Sequence, residues 1–236
     1  MQVEILKATD ESLGIIAMAI SQGKFNDEFL KKLQYDDAFF EEYKKKFYKY
    51  ANHGNLLEYV DIVFFVGNVS RNALDDLARH RIATFTIQST RNKSIKKSKD
   101  ILSDYYGSMI NLKDNWVEGM VEGELPKDRD KWNGILPLGV GSQAICKINL
   151  RSLINMAGQR MCFRAREEIR GILYAIKTQL EEMGLEYHKL LQPKCVQLGY
   201  CDEDDSLCCG YSIKKSKAMD HLSRMLLVKD EINGLV

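Results

Sequence analysis

Val3 to Lys7 alternates apolar and polar residues with the period of two that marks a half-buried strand. Thr9 or Asp10 then offers an N-cap for a helix running to about Ser21. Between Asn26 and Tyr50, Phe29, Leu33, Phe39, Phe40, Tyr43, Phe47 and Tyr50 recur at helical spacing, which predicts one or two helices with core and interface faces. The run Tyr59 to Val66 (YVDIVFFV) reads as a buried strand. Ser70 is placed to cap a helix through Leu74, Leu77 and Ala78, ending at Arg79-His80-Arg81, and Ile82 to Ile87 alternates again as a strand. Turn signals at Gly119, Gly123 and Pro126 precede Ile135-Leu136-Pro137-Leu138-Gly139. A strand from Gln143 to Ile148 leads into the longest periodic segment. Its apolar positions, Leu153, Met156, Ala157, Met161, Ala165, Ile169, Ile172, Leu173, Ile176 and Leu180, predict one long helix. A cysteine-rich loop and a short amphipathic helix around Ala218 to Leu227 close the chain.

This order of elements, with no internal repeat and no linker, predicts a single α/β (α+β) domain over residues 1–236. A central mixed or antiparallel sheet would be flanked by long helices, with a cysteine-rich tail at 193–236. Only three prolines occur, none in the first half, which favours long helices there. The 34 basic and 33 acidic side chains exert no global pull toward nucleic acid or membrane, so any anion binding must be local. No apolar run approaches the roughly 18–20 residues of a membrane span, and the first residues lack the apolar core of a signal peptide. The expected location is the cytoplasm, where six cysteines are expected as reduced thiols.

The densest chemistry lies in Arg79-His80-Arg81-Ile82-Ala83-Thr84-Phe85-Thr86-Ile87-Gln88-Ser89-Thr90-Arg91. Its guanidinium forks suit phosphate, and the serine adds a neutral hydrogen bond. As RHR-x7-S-x-R it resembles the signature of the flavin-dependent thymidylate synthases. The resemblance covers nearly the whole chain in order. His53-Gly54-Asn55-Leu56-Leu57-Glu58-Tyr59-Val60 is similar to the family's H-x4-E segment, and Ser70-Arg71 begins its S-R-x5-L-x-R-H-R run. Ile135-Leu136-Pro137-Leu138 resembles V-L-P-L, and Asn149-Leu150-Arg151-Ser152-Leu153 resembles N-A-R-S-L. Arg160-Met161-Cys162-Phe163-Arg164-Ala165-Arg166-Glu167-Glu168-Ile169-Arg170 resembles R-L-C-x-x-A-Q-W-E-I-R.

The resemblance implies FAD-dependent methylation of dUMP to dTMP in a homotetramer, with methylenetetrahydrofolate as carbon donor and NADPH as reductant. It implies that Arg160 faces the uracil as the catalytic residue. Ser89 and Arg91 would bind the nucleotide, in a substrate site that also takes in the positions of Asp76, Arg79, Gln88 and Asn133. His53, Asn55, Arg79, His80, Arg81, Ile87, Asn149 and Arg151 would form the flavin site. No cysteine sits in a nucleophile setting, as expected if the protein itself makes no covalent bond to substrate. Nine residues separate Arg151 from Arg160, so on one continuous helix they project to opposite sides, as suits a site assembled from several subunits. Arg151 lying just before the helix would suit it equally.

Four positions depart from the family pattern. Asp76 stands for a glutamine, Ile87 for a glutamate, Asn133 for an arginine and Asn92 for a tyrosine. Losing a cation and gaining an anion beside a phosphate, at about 1.5–3 kcal/mol per charged hydrogen bond, is several-fold to a hundredfold in affinity. Arg129, Lys131 or the loop Lys93 to Lys99 would have to compensate. Otherwise the substrate is another pyrimidine nucleotide, or the protein binds flavin or nucleotide without turnover. The basic run Arg91 to Lys99 lacks aromatics for nucleic-acid recognition and reads as a solvated connection. Cys195, Cys201, Cys208 and Cys209, spaced C-x5-C-x6-C-C, differ from the C-x2-C of zinc knuckles and read as buried or inert thiols, so no metal is expected.

Overall fold

The computed structural model describes residues 1–50, 54–80, 82–89 and 141–219. The chain gathers into two compact units, Met1–Ser152 and Leu153–Val236. The first is built on strands β1 (Gln2–Ala8), β2 (Asp61–Ser70), β3 (Ala83–Ile87) and β4 (Gly141–Asn149). They form a four-stranded sheet in the order β1-β2-β4-β3, and every described pairing is antiparallel. Its register is set by alternation. Ile62, Phe64 and Val66 of β2 lie buried beside Ile148, Cys146 and Ala144 of β4, their direct cross-strand partners. Each of the isoleucine, phenylalanine and valine side chains contributes about 1.5–3 kcal/mol on burial. A bulge between Val66 and Val69 carries Asn68 at φ 54°, a left-handed conformation that asparagine tolerates better than most residues.

Helices α1 (Ser12–Ser21), α2 (Asp27–Tyr35), α3 (Asp37–Lys49) and α4 (Arg71–Ala78) complete the described part of this unit. The Asn26 to Tyr50 stretch is two helices because Asp36 breaks it: its backbone is extended, and its Oδ1 accepts the Phe39 N–H at 3.0 Å to start α3. At the start of α1 neither expected cap sits at the capping position. Glu11 occupies it, buried, and accepts a hydrogen bond from the Tyr48 hydroxyl of α3. Thr9 instead ties β1 to β2, its hydroxyl receiving the Asp61 N–H at 2.8 Å. Ser70 caps α4 as its sequence position predicts, accepting the Ala73 N–H at 3.1 Å. Gly14 of α1 lies against the fully buried Phe47 of α3; a Cβ there would stand 2.5 Å from the ring and 3.1 Å from the Leu56 carbonyl oxygen.

The second unit corrects one expectation. The periodic segment is not one helix but two, α5 (Leu150–Arg160) and α6 (Glu167–Glu182), where α5 begins in the first unit. The turn between them is closed by the Ala165 N–H on the Cys162 carbonyl at 2.9 Å. The Arg170 guanidinium donates to the Phe163 and Ala165 carbonyls, both at 2.8 Å, so the broken helix leaves these acceptors satisfied. Glu167 and Glu168 in the first turn of α6 favour its positive end. Buried Ile169, Ile172, Leu173, Ile176 and Leu180 form the inner stripe of α6, which contacts the 3-10 turn Glu186–Leu190 that carries the fully buried Tyr187. A five-residue helix, α7 (Lys194–Leu198), follows. Of the expected Ala218 to Leu227 helix, 215–219 is helical and the remainder lies outside the described residues.

Helix α5 begins at Asn149, whose Oδ1 accepts the Ser152 N–H at 2.9 Å. Asn149→Ala should therefore lower stability by about 1 kcal/mol in urea unfolding, with Asn149→Asp or Asn149→Ser keeping most of it. Gly14→Ala tests packing against propensity. Propensity alone predicts a gain of about 1 kcal/mol, whereas overpacking against Phe47 costs about 1–3 kcal/mol. The unfolding midpoint should fall; a rise would show that the ring yields.

Candidate functional site

The β2–β4 pairing gives the sheet two ends, and the expected site residues divide between them. At one end Asp61 pairs with Asn149 and Ala83 sits opposite Ile148. Here the 3-10 turn Leu56–Tyr59, opened by the Asn55 carbonyl accepting the Glu58 N–H at 3.2 Å, leads into β2. Arg151, second residue of α5, reaches back to this turn, with its Nη1 2.5 Å from Glu58 Oε1. Its side chain lies over Gly54, where a Cβ would come within 2.8 Å of Nε and 3.0 Å of Cζ. Any larger residue at 54 displaces the guanidinium. A cross-strand pair, Lys147 Nζ to Asp61 Oδ2 at 2.9 Å, adds a second opposed charge pair at this end.

Helix α4 starts at the other end, where Ser70 pairs with Gly141, and contacts β2, β4 and β3. The chain beyond it re-enters the sheet at Ala83, so α4 delivers Arg79 and His80 toward the Asn149 end. Asp76 is buried on α4, and its Oδ1 lies 3.4 Å from Nη1 of Arg79, whose side chain is 74% exposed. A buried carboxylate needs a partner, and this one has it one helical turn away. The acid at the family's glutamine position is thus paired to the first arginine of the triplet. His80 is half-buried, with its N–H on the Leu77 carbonyl at 3.1 Å.

At the opposite end of the sheet lie Ile87, Gln88 and Ser89. Ile87 pairs with buried Ala144, and the alternation of β3 puts it on the same half-buried side as Ala83 and Phe85. An apolar residue suits that face, which accounts for isoleucine where the family has a glutamate. Gln88 continues the ladder, its N–H on the Gln143 carbonyl at 2.9 Å, and Ser89 is exposed just beyond. Four strand steps from Ala83 to Ile87 span roughly 13 Å, so Arg79 and His80 lie before one end of β3 and Ser89 beyond the other.

Asn149 and Arg151, both expected at the flavin, are already engaged, the first as the cap of α5 and the second on Glu58. Arg151 lies within α5, not ahead of it. Arg160, the last residue of α5, is half-buried and directly precedes the turn held by Arg170. His53, Arg81, Arg91 and Asn133 lie outside the described residues. Sequence reasoning passed over Glu58 as the partner of Arg151 and Gly54 as the seat of its side chain. The H-x4-E spacing pointed at Glu58, but nothing local pairs it with a residue 93 positions away.

Arg79 and Arg151, each paired with an acid through one nitrogen, present exposed guanidiniums, a group that suits phosphate. Among the described residues, no helix is long and apolar enough to cross a membrane. The chain matches the family model described as thymidylate synthase complementing protein over residues 4–183, a span that runs across both compact units. It is 28% identical over 238 residues to the flavin-dependent thymidylate synthase of Pyrococcus furiosus, covering 91% of this chain and 93% of that one. To the Pyrococcus abyssi enzyme of the same name it is 30% identical over 178 residues, or 67% and 71% of the two chains. In fold it resembles the flavin-dependent thymidylate synthase ThyX from Helicobacter pylori, solved with FAD and dUMP. That likeness has a TM-score of 0.65 at 19% identity over 81% of this chain and 100% of that one. It also resembles the UMP/dUMP methylase PolB from Streptomyces cacaoi, with a TM-score of 0.55 at 14% identity over 80% and 93%. The chain belongs to the thymidylate synthase complementing protein family, that of the flavin-dependent thymidylate synthases.

Proposed function

We propose that the protein is an FAD-dependent methyltransferase that converts dUMP to dTMP in the cytoplasm. In this reading methylenetetrahydrofolate is the carbon donor and NADPH the reductant. The observation that carries the reading is the family match over residues 4–183, and it is supported by Arg79, His80, Asn55 and Arg151 lying on segments that the strand register directs to one end of the sheet. The fit to a flavin dinucleotide rests on chemistry present there. Two exposed guanidiniums can face its phosphates, and Gly54 leaves room for the Arg151 stem. Asp76 and Glu58 each hold a guanidinium at one nitrogen, which fixes its direction while other N–H groups of the five-donor fork remain for an anion. Bound FAD would supply the hydride for reductive methylation.

The chain's own work is then positioning and charge stabilisation. Arg160 would lie against the pyrimidine and favour its N3-ionised form, a task suited to a group that never loses its own proton. Ser89, Gln88 and Arg91 would hold the nucleotide, with Asp76 and Asn133 at positions where the family pattern has other polar groups. The separation of the two motif halves along β3 supports a homotetramer in which one subunit supplies the flavin end and another the nucleotide end. Arg151 and Arg160, half a turn apart around α5 at ~100° per residue, argue the same way. One observation favours a second reading, a different pyrimidine nucleotide as substrate. Asp76, at a position expected in the substrate site, is a buried acid paired with Arg79 where the family pattern has a neutral glutamine.

Methyl transfer from methylenetetrahydrofolate, followed with NADPH oxidation, should proceed with dUMP in preference to UMP, dCMP or deoxyuridine. A preference for UMP or dCMP would select the second reading. A colourless protein that does not take up FAD would remove both. Arg160→Ala should retain the flavin spectrum and lose roughly a hundredfold or more in turnover; unchanged turnover would reject its role.

A further inference from the structure

Between Gln192 and Met219 the tail is held with almost no apolar core. Its buried apolar side chains among the described residues are Cys201 and Ala218, and α7 buries none. Ordering backbone costs about 1–2 kcal/mol per residue, and segments that bury so little are commonly held by a cross-link or a metal. Here polar contacts draw three short stretches together. The Cys201 N–H donates to the Ile213 carbonyl at 2.9 Å, and the Ser212 hydroxyl lies 3.5 Å from the Gly199 carbonyl. Lys194 pairs with Asp202, and the Ser216 hydroxyl bonds Asp205. Two thiols meet at the centre. Cys201 and Cys208 are held against the adjacent residues Ile213 and Ser212, which brings their thiols close enough to act on one another. Cys208 Sγ lies 3.8 Å from the Ser212 carbonyl and receives the Gly210 N–H at 3.4 Å. All six cysteines are free, and no group of three or more Cys, His, Asp or Glu side chains among the described residues could hold a metal ion.

We propose that Cys201 and Cys208 are a thiol–disulfide exchange pair, oxidised by a low-molecular-weight disulfide to a covalent staple across this tail. Cys208 is the attacking thiol because it is the more exposed of the two. It displaces one small thiolate and forms a mixed disulfide. Cys201, buried beside it, then attacks the Cys208 sulfur and displaces the second. One S–S bond forms in the protein as one breaks in the small molecule. The two protein thiols give up two electrons, and their two protons end on the two small thiols released. The pKa of Cys201 supports this order. The Glu203 backbone lowers it, but burial and the Cys208 contact outweigh that and leave it above the ordinary thiol range. The staple would lock a loop that Arg164 Nη1 grips at the Leu207 carbonyl, 2.9 Å away, and that Phe163 meets at the Tyr211 ring, with centroids 5.2 Å apart.

The test uses the full-length protein equilibrated with mixtures of reduced and oxidised glutathione, then alkylated and digested without reduction. Trypsin with an aspartate-directed protease cuts between the two cysteines at Asp202, Asp204 and Asp205, so a cross-link joins separate peptides. The expected product is a Cys201–Cys208 peptide pair that Cys208→Ser abolishes and Cys209→Ser leaves. Oxidation should slow proteolysis within 199–213 by roughly tenfold or more, from the lost freedom of the opened loop. Cys146, buried with its thiol pushed up to about 12, should stay unlabelled until the protein is denatured. Full alkylation of both cysteines at every ratio would overturn the proposal. So would a cross-link from Cys201 to Cys195, Cys162 or Cys209, or stoichiometric zinc in the purified protein. The peptide map of the unmutated protein decides the pairing even where a variant fails to fold.

Discussion

The antiparallel pairing of β2 with β4 is the constraint on which the rest of the first unit depends. It runs from Asp61 opposite Asn149 to Ser70 opposite Gly141 and joins stretches some eighty residues apart. Closing so long a loop is not prohibitive, since each doubling of length adds only about 0.6 kcal/mol. Slipping the register by one residue would be, because Ile62, Phe64 and Val66 would all turn to the opposite face. Register therefore fixes what the ends of the strands carry. Asp61 opposite Asn149 sets the Asn55–Glu58 turn beside the start of α5. Ser70 opposite Gly141 sets the start of α4 beside the start of β4.

The charges follow from that frame. The chain as a whole is nearly neutral, so an anion is attracted here only by local arrangement. Arg151 stands on Glu58, Arg79 on Asp76 and Lys147 on Asp61. Exposed ion pairs contribute little to stability, typically under about 1 kcal/mol. Their consequence is directional: a long flexible side chain is held near one orientation before any ligand arrives, and less conformational freedom remains to be lost on binding. Asp76 differs from the other acids because it is buried. Arg79 is paired with it, so this arginine has a structural tie as well as an exposed face.

Most elements were legible in the sequence because each announces itself locally. The strand at Val3–Lys7, the Ser70 cap and the alternation into Ile87 all rest on side chains within a few residues. What escaped depends on distance or on phase. The break between α5 and α6 is invisible to periodicity because Met161, Ala165 and Ile169 keep the four-residue spacing across it. What ends α5 is a turn whose carbonyls are taken up by Arg170. Thr9, which with Asp10 is a candidate helix cap by position, instead bridges to Asp61, 52 residues on, a partner no local rule supplies. The same blindness hid Arg151 on Glu58. Asp76 and Ile87 could be seen to depart from the family pattern, but only the fold gives their settings, one paired within its helix and the other on the core-facing side of an edge strand.

The arginine and serine ends of the motif are thus divided physically as they are chemically. Strand β3 is a rigid spacer: five residues hydrogen-bonded to β4 cannot shorten to bring Ser89 to Arg79. A ligand held by the arginine end of one chain and a second ligand held by the serine end of the same chain are kept apart by the length of the strand. If the two must react, either one ligand spans the strand or the facing end comes from another copy. A flavin dinucleotide is long enough to make the first arrangement reasonable for its own phosphates and ring. Helix α5 holds Arg151 and Arg160 half a turn apart, so if Arg151 faces the flavin phosphates as proposed, Arg160 of the same chain projects away around the helix axis. Both constraints follow from backbone geometry, a strand that cannot contract and a helix that cannot unwind without losing its cap on Asn149. Together they favour a second copy of the chain as the source of the missing face.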